Sequence, residues 1–187
     1  MSKIADRIIP IPEKVKINLE KGKIFAEGPL GKKELTIPHQ LEITKKESSL
    51  LTKSKNTALA GTYNSLISNL IEGVVKGYES IVEVKGVGYK VIQKDNRLEF
   101  DLGKSRKKDG SLQDFVDIPS DLEVSVERNK IIVKGLDKQK VSSFVANKIR
   151  TLHAPSVYRM SKGFKGIYYP NEENTIKLKD GKSKSAK

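Results

Sequence analysis

The chain has 187 residues, enough for one ordinary domain or two small ones of roughly 80 residues each. A formal charge of +13, a pI near 9.7 and 36 % apolar residues point to a compact protein with a polyanionic partner, nucleic acid before an anionic membrane surface. The absence of cysteine excludes a disulfide framework and thiolate metal sites.

The first fifteen residues, MSKIADRIIPIPEKV, have neither the apolar core of a signal peptide nor an Arg/Ser-rich transit composition. No apolar run approaches the roughly 20 residues that span a bilayer. The protein is therefore expected to work where it is made. In chain order, Val15, Ile17 and Leu19 alternate with polar residues and predict a half-buried strand. Glu20-Lys21-Gly22-Lys23 reads as a turn, after which Ile24 and Ala26 resume the alternation. Leu35 with Ile37, and Leu41 with Ile43, predict further short strands. A helix follows, with Asn56 as its N-cap and Leu59, Tyr63, Leu66, Ile67, Leu70, Ile71 and Val74 on one face. Gly73 and Gly77 supply its stop.

A second set begins at Ile81, Val82 and Val84 and passes Gly86-Val87-Gly88-Tyr89 to Val91 and Ile92. Asp95-Asn96 reads as a hairpin turn into Leu98, Phe100 and Leu102. Leu122, Val124 and Val126 form a strand, Arg128-Asn129 a turn, and Ile131 to Val133 the next strand. Asp137 is placed to cap a helix bearing Val141, Phe144, Val145 and Ile149. The GxG at Gly86 predicts a bulge or close backbone packing, because a phosphate cradle needs a following helix and a third glycine.

The two sets are copies. Ile37-Pro38-His39-Gln40-Leu41-Glu42-Ile43 resembles Ile118-Pro119-Ser120-Asp121-Leu122-Glu123-Val124 at an offset of 81, and the match continues without gaps. Residues 37–74 and 118–150 should therefore superpose. The predicted fold class is α+β, a tandem duplication of a small antiparallel sheet covered by one helix. The predicted domains are residues 1–80, residues 81–170 and a basic tail, 171–187.

Charge is uneven. Residues 1–80 carry 13 basic and 9 acidic side chains, residues 81–149 carry 14 and 11, and residues 150–187 carry 9 and 3. In the last segment Arg150, Arg159, Lys162, Lys165, Lys177, Lys179 and Lys182 interleave with Tyr158, Phe164, Tyr168, Tyr169, Gly163 and Gly166. Basic groups neutralise phosphates, aromatic faces stack on unpaired bases, and glycine admits close backbone approach. The alternative is a solvated loop with its tyrosines packed on the domain. No enzyme reading competes. The only histidines are His39, a turn residue, and His153, an RNA contact or a cap. Neither has metal-ligand spacing, and no nucleophile elbow or P-loop exists.

Several motifs together resemble a known family. They are Gly28-Pro29-Leu30-Gly31, Gly61-Thr62, Glu72-Gly73-Val74 with Lys76-Gly77-Tyr78-Glu79, and Gly86-Val87-Gly88-Tyr89. Lys134-Gly135, Asp137-Lys138-Gln139, Ile149-Arg150, Pro155, Tyr158 and Lys165-Gly166-Ile167-Tyr168 continue the match. In order, over nearly the whole chain, they resemble the bacterial-type large-subunit ribosomal protein six family. There are two departures: about four extra residues near 160–164, and Lys104-Ser105-Arg106-Lys107-Lys108-Asp109-Gly110-Ser111 as a longer loop.

The resemblance implies a structural, non-catalytic component of the large ribosomal subunit near the translation-factor region. It would work in a bacterial cytoplasm or in an organelle that encodes it. Its partners would be large-subunit rRNA and neighbouring ribosomal proteins, with no membrane, small-molecule substrate, cofactor or metal. The expected RNA contacts are Arg150, His153, Tyr158, Arg159, Lys162, Gly163, Lys165, Gly166, Tyr168, Lys179 and Lys182. Tyr89, Lys90, Arg106, Lys107 and Lys108 are possible further contacts. The rival functions are a free-standing nucleic-acid-binding module and an anionic-membrane-surface protein. The first lacks a recognition helix or RRM signature, and the second an amphipathic lysine-rich helix.

Overall fold

The computed structural model describes residues 7–20, 22–46, 49–103, 114–156 and 164–176. The chain divides into two compact units, Met1–Tyr78 with Gly135–Lys138, and Glu79–Lys134 with Gln139–Lys187. Gly135–Lys138, which the sequence reading leaves in the second half, joins the first. The physical reason is close packing: a Cβ on Gly73 would lie 2.2 Å from the Leu136 carbonyl oxygen. An ion pair between Lys33 and Asp137, the residue expected to cap the second helix, at 2.6 Å adds to it.

The first unit contains β1 (Ile9–Pro10), β2 (Lys16–Glu20), β3 (Lys23–Gly28), β4 (Gly31–Thr36), β5 (Leu41–Lys46), β6 (Ser49–Ser54) and α1 (Thr57–Lys76). Its strands form two antiparallel sheets, β2-β3-β4 and β1-β6-β5. Alternation turns Ile17, Ile24, Ala26 and Leu50 inward, against Ile67, Leu70, Ile71 and Val74 of α1. Each of the Ile, Leu and Val side chains among them stabilises the unit by roughly 1.5–3 kcal/mol when fully buried.

The helix starts at Asn56, whose Oδ1 accepts from the Ala58 N–H at 3.0 Å, and ends at Gly77, whose φ is +72°. Its buried stripe includes a polar residue that helical periodicity did not flag. Asn64 is buried because its Nδ2 donates to the Arg7 carbonyl at 2.7 Å, tying the start of the chain to the helix. Leu19 is 38 % exposed, against expectation. It shares the Ile17 face but borders an open groove with Ile37, Leu41 and Ile43.

The later elements are β7 (Tyr78–Lys85), β8 (Lys90–Lys94), β9 (Arg97–Asp101), β10 (Asp114–Asp117), β11 (Leu122–Glu127), β12 (Lys130–Gly135), α2 (Lys138–Ser143) and β13 (Gly166–Tyr168). They build one antiparallel sheet, β8-β9-β10, and one sheet of order β11-β12-β7-β13. α2 passes into a π-helical stretch, Phe144–Ile149, closed by the Arg150 N–H donating to the Val145 carbonyl. The four predicted apolar positions, Val141, Phe144, Val145 and Ile149, are all buried.

The duplication is visible residue by residue. β5 and β11, and β6 and β12, coincide at an offset of 81, as do the starts of α1 and α2. β2 and β8, and the starts of β3 and β9, coincide at 74. The change from 74 to 81 falls between β9 and β10, where the sequence carries its longer loop. Hydrogen bonds repeat too. The Ile37 N–H donates to Gly22 O at 2.7 Å, and the Ile118 N–H donates to Asn96 O at 2.8 Å. Both Ile-Pro turns close at 3.1 Å, Leu41 to Pro38 and Leu122 to Pro119.

Candidate nucleic-acid interface

The second strand pairing of β7, with β13, organises the site. β13 returns antiparallel to it, with Gly166 opposite Lys85, Ile167 opposite Val84 and Tyr168 opposite Glu83. On the other flank of β13, the Ile167 N–H donates to His153 O at 2.9 Å, and the Ser156 N–H donates to Lys165 O at 3.4 Å. Residues 153–156 and 165–167 thus run side by side and form the root of a loop. Gly166 is required there. Its φ is +131°, and a Cβ would lie 2.9 Å from the Ala154 carbonyl oxygen.

The expected contacts among the described residues have definite places. Lys165 is half-exposed and carries no ion pair among the described residues, while its carbonyl also accepts the Tyr168 hydroxyl at 2.9 Å. Lys90 is exposed on β8 and likewise unpaired among the described residues. Tyr168 is corrected: it is fully buried, packs edge-on against Phe164 at 5.9 Å, and has no face for a base to stack on. Here the packed-tyrosine alternative holds.

Arg150 is half-buried. It is ion-paired with Glu172, and its guanidinium lies 4.8 Å from the centre of the Tyr169 ring. Glu172 also accepts the Tyr169 N–H at 2.8 Å, so Arg150 is committed to a clamp on the chain leaving β13. Tyr89 is buried, and its hydroxyl is 3.2 Å from His153 Nε2. Tyr158, Arg159, Lys162, Gly163, Lys179 and Lys182, with Arg106, Lys107 and Lys108, lie outside the described residues.

Sequence reasoning did not single out the wall beside the root. An open groove of about 900 Å³ is lined by Glu83, Lys85, Gly86, Arg128, Asn129 and Lys130, among others. Arg128 holds a left-handed φ of +56° and has no ion pair among the described residues. Burial works against the charge on Glu83, but hydrogen bonds from Lys130 and Lys85, both 3.2 Å away, outweigh it and hold the carboxyl below its usual range. A Lys-Glu-Lys triplet folded from two strands leaves no motif in the sequence to find it by. Among the described residues no group of His, Asp and Glu could hold a metal ion, and no helix is long and apolar enough to cross a membrane.

The sequence finds relatives among known proteins. No family model matches the chain. It is 37 % identical to the large ribosomal subunit protein uL6 of Aquifex pyrophilus over 182 residues, 92 % of this chain and 91 % of that protein. Identity to the uL6 protein of Mycoplasmoides gallisepticum is 37 % over the full length of both. To uL6m of Reclinomonas americana it is 40 %, over 98 % of this chain and all of that protein. Likeness of this extent, running through both copies of a duplicated α+β unit, means that the chain belongs to the large ribosomal subunit protein uL6 family.

Proposed function

We propose that this protein is a structural constituent of the large ribosomal subunit that binds large-subunit rRNA chiefly through its second unit. It is not an enzyme: the relatives it matches end to end are ribosomal proteins. Its place of work is the ribosome of a bacterium or of an organelle, and neighbouring ribosomal proteins are its other partners. Proximity to the translation-factor region rests on the family resemblance alone.

The observation that carries the RNA reading is the state of Lys165. Its carbonyl is held by two donors, Ser156 N–H and the Tyr168 hydroxyl, while its ammonium has no ion pair among the described residues. A cation on a fixed backbone loses little conformational entropy when it meets a phosphate. By the same reasoning the ion-paired Arg150 is a clamp, and the unpaired Lys90 and Arg128 are secondary phosphate contacts. The remaining expected contacts in the loop and tail, including Arg159 and Lys162, stay part of this proposal.

The test is binding of the full chain to large-subunit rRNA transcribed in vitro. Lys165→Ala should weaken affinity about fivefold and reduce the slope of log affinity against log salt by about one phosphate's worth. Unchanged affinity and slope would refute the assignment. Co-sedimentation of the protein with large subunits rather than with free nucleic acid separates the ribosomal role from the free-standing module.

A further inference from the structure

We infer that Tyr89 positions the RNA-binding loop without touching RNA, acting through His153; this rests on the reading of the loop root given above. The ring of Tyr89 is only 9 % exposed, too little to stack on a base. It is held on two sides by glycines. A Cβ on Gly86 would fall 2.5 Å from the ring, and one on Gly103 would fall 3.5 Å from it. Gly86 also has a φ of +156°, so both space and backbone require glycine there. This accounts for the Gly86-Val87-Gly88-Tyr89 motif as a socket for the tyrosine ring.

The hydroxyl is the part of Tyr89 that acts at a distance. It lies 3.2 Å from His153 Nε2, with the two rings tilted and 5.6 Å apart. The other ring nitrogen, Nδ1, lies 3.2 Å from the Ala154 carbonyl, which can only accept. In its neutral form the imidazole is placed to donate from Nδ1 to that carbonyl and to accept the tyrosine hydroxyl at Nε2. Both ring nitrogens are engaged, and His153 is held in place.

From His153 the constraint passes to the loop by backbone contacts. The His153 carbonyl accepts the Ile167 N–H at 2.9 Å, and the Ala154 carbonyl fills the space that Gly166 leaves open. Lys165 precedes that glycine and is tied to Ser156. A His153 free to turn lets residues 153–156 shift against β13, and Lys165 with them. RNA affinity then falls by the fraction of molecules that lose the competent root.

The experiment uses the full chain, in-vitro-transcribed large-subunit rRNA and fixed salt. Tyr89→Phe keeps the ring in its socket and removes only the bond. Its affinity should fall about fivefold, the size expected for one hydrogen bond, with the salt slope unchanged because no phosphate contact is lost. Nitrogen NMR of His153 should show the Nδ1-protonated tautomer in the wild type and a mixture in Tyr89→Phe. In the double variant Tyr89→Phe/His153→Ala the loss should equal that of His153→Ala alone, since one residue acts through the other.

An unchanged affinity in Tyr89→Phe overturns the inference. So do additive losses in the double variant, which would mean that Tyr89 does not act through His153. Thermal melting of each variant checks the fold; if Tyr89→Phe does not fold, the His153 variant and the wild-type tautomer still decide. Lys165→Ala measured in parallel separates the two proposals. If it binds as wild type, the loop reading fails and the Tyr89 role falls with it. If it weakens binding while Tyr89→Phe does not, only the Tyr89 role fails.

Discussion

The two units start from one plan and treat the same sheet edge in opposite ways. In the first, β1 is two residues long, ends in Pro10, and is followed two residues later by Pro12. Proline has no N–H to offer a further strand, so this edge is closed to pairing. In the second, β7 has eight residues and no proline, and its edge takes up β13. The helices differ in the same sense. α1 runs for 20 residues and is capped by Gly77, whereas the six-residue α2 relaxes into a π-turn and releases the chain at Arg150 toward the loop. The comparison teaches that the duplicated core is held constant while one edge and one helix end have been turned into the root proposed to bind RNA. The first unit reads as scaffold and the second as scaffold plus site.

If the cores are equivalent, equivalent deletions should have equal effects. Ile24 and Leu98 occupy matching places on the middle strands β3 and β9, and neither is exposed at all. Ile24→Ala and Leu98→Ala should each destabilise by about 3 kcal/mol in chemical denaturation, the usual result of leaving a cavity at such a site. A difference of more than about 2 kcal/mol between them would break the equivalence, since the spread at fixed chemistry reflects how well each site collapses.

A smaller effect sharpens the comparison. Thr52 and Val133 are matching positions on β6 and β12, both buried, and Thr52 Oγ1 has no hydrogen-bond partner among the described residues. The second unit has solved this position with an isosteric apolar side chain. Thr52→Val should leave the fold intact and raise stability by about 1 kcal/mol, read from the denaturant midpoint. A loss of stability would mean that the hydroxyl serves a partner not visible in the free chain.

What could be read from the sequence was what is local and periodic. The Ile-Pro-x-x-Leu-Glu repeat located β5, β6 and α1 on β11, β12 and α2 because strand and helix periods are short-range properties. Asn56 was legible as a cap for the same reason. The errors lie where a residue's fate is set by a distant partner. Tyr168 looked like a stacking residue among glycines and lysines, but three residues of β13 pair with a strand some 80 positions earlier and carry it into the core. Arg150 reads as a phosphate ligand, and the sequence does not show the Glu172 partner that the chain returns to it. Tyr89 was offered as an RNA neighbour on the strength of its motif, and its hydroxyl meets a histidine 64 residues away. Charge and composition single out a candidate binding segment; they do not show which of its residues face outward and which hold the others in place.

The central claim is that the second unit holds most of the proposed RNA contacts. The most direct measurement is amine-reactive labelling of the full chain, free and bound to in-vitro-transcribed large-subunit rRNA, read lysine by lysine by mass spectrometry. Lys165 and Lys90 should lose most of their reactivity in the complex, while Lys16, Lys32 and Lys53 of the first unit, on strands β2, β4 and β6, keep theirs. Protection of the first-unit lysines to the same degree, or an unprotected Lys165, would contradict the account.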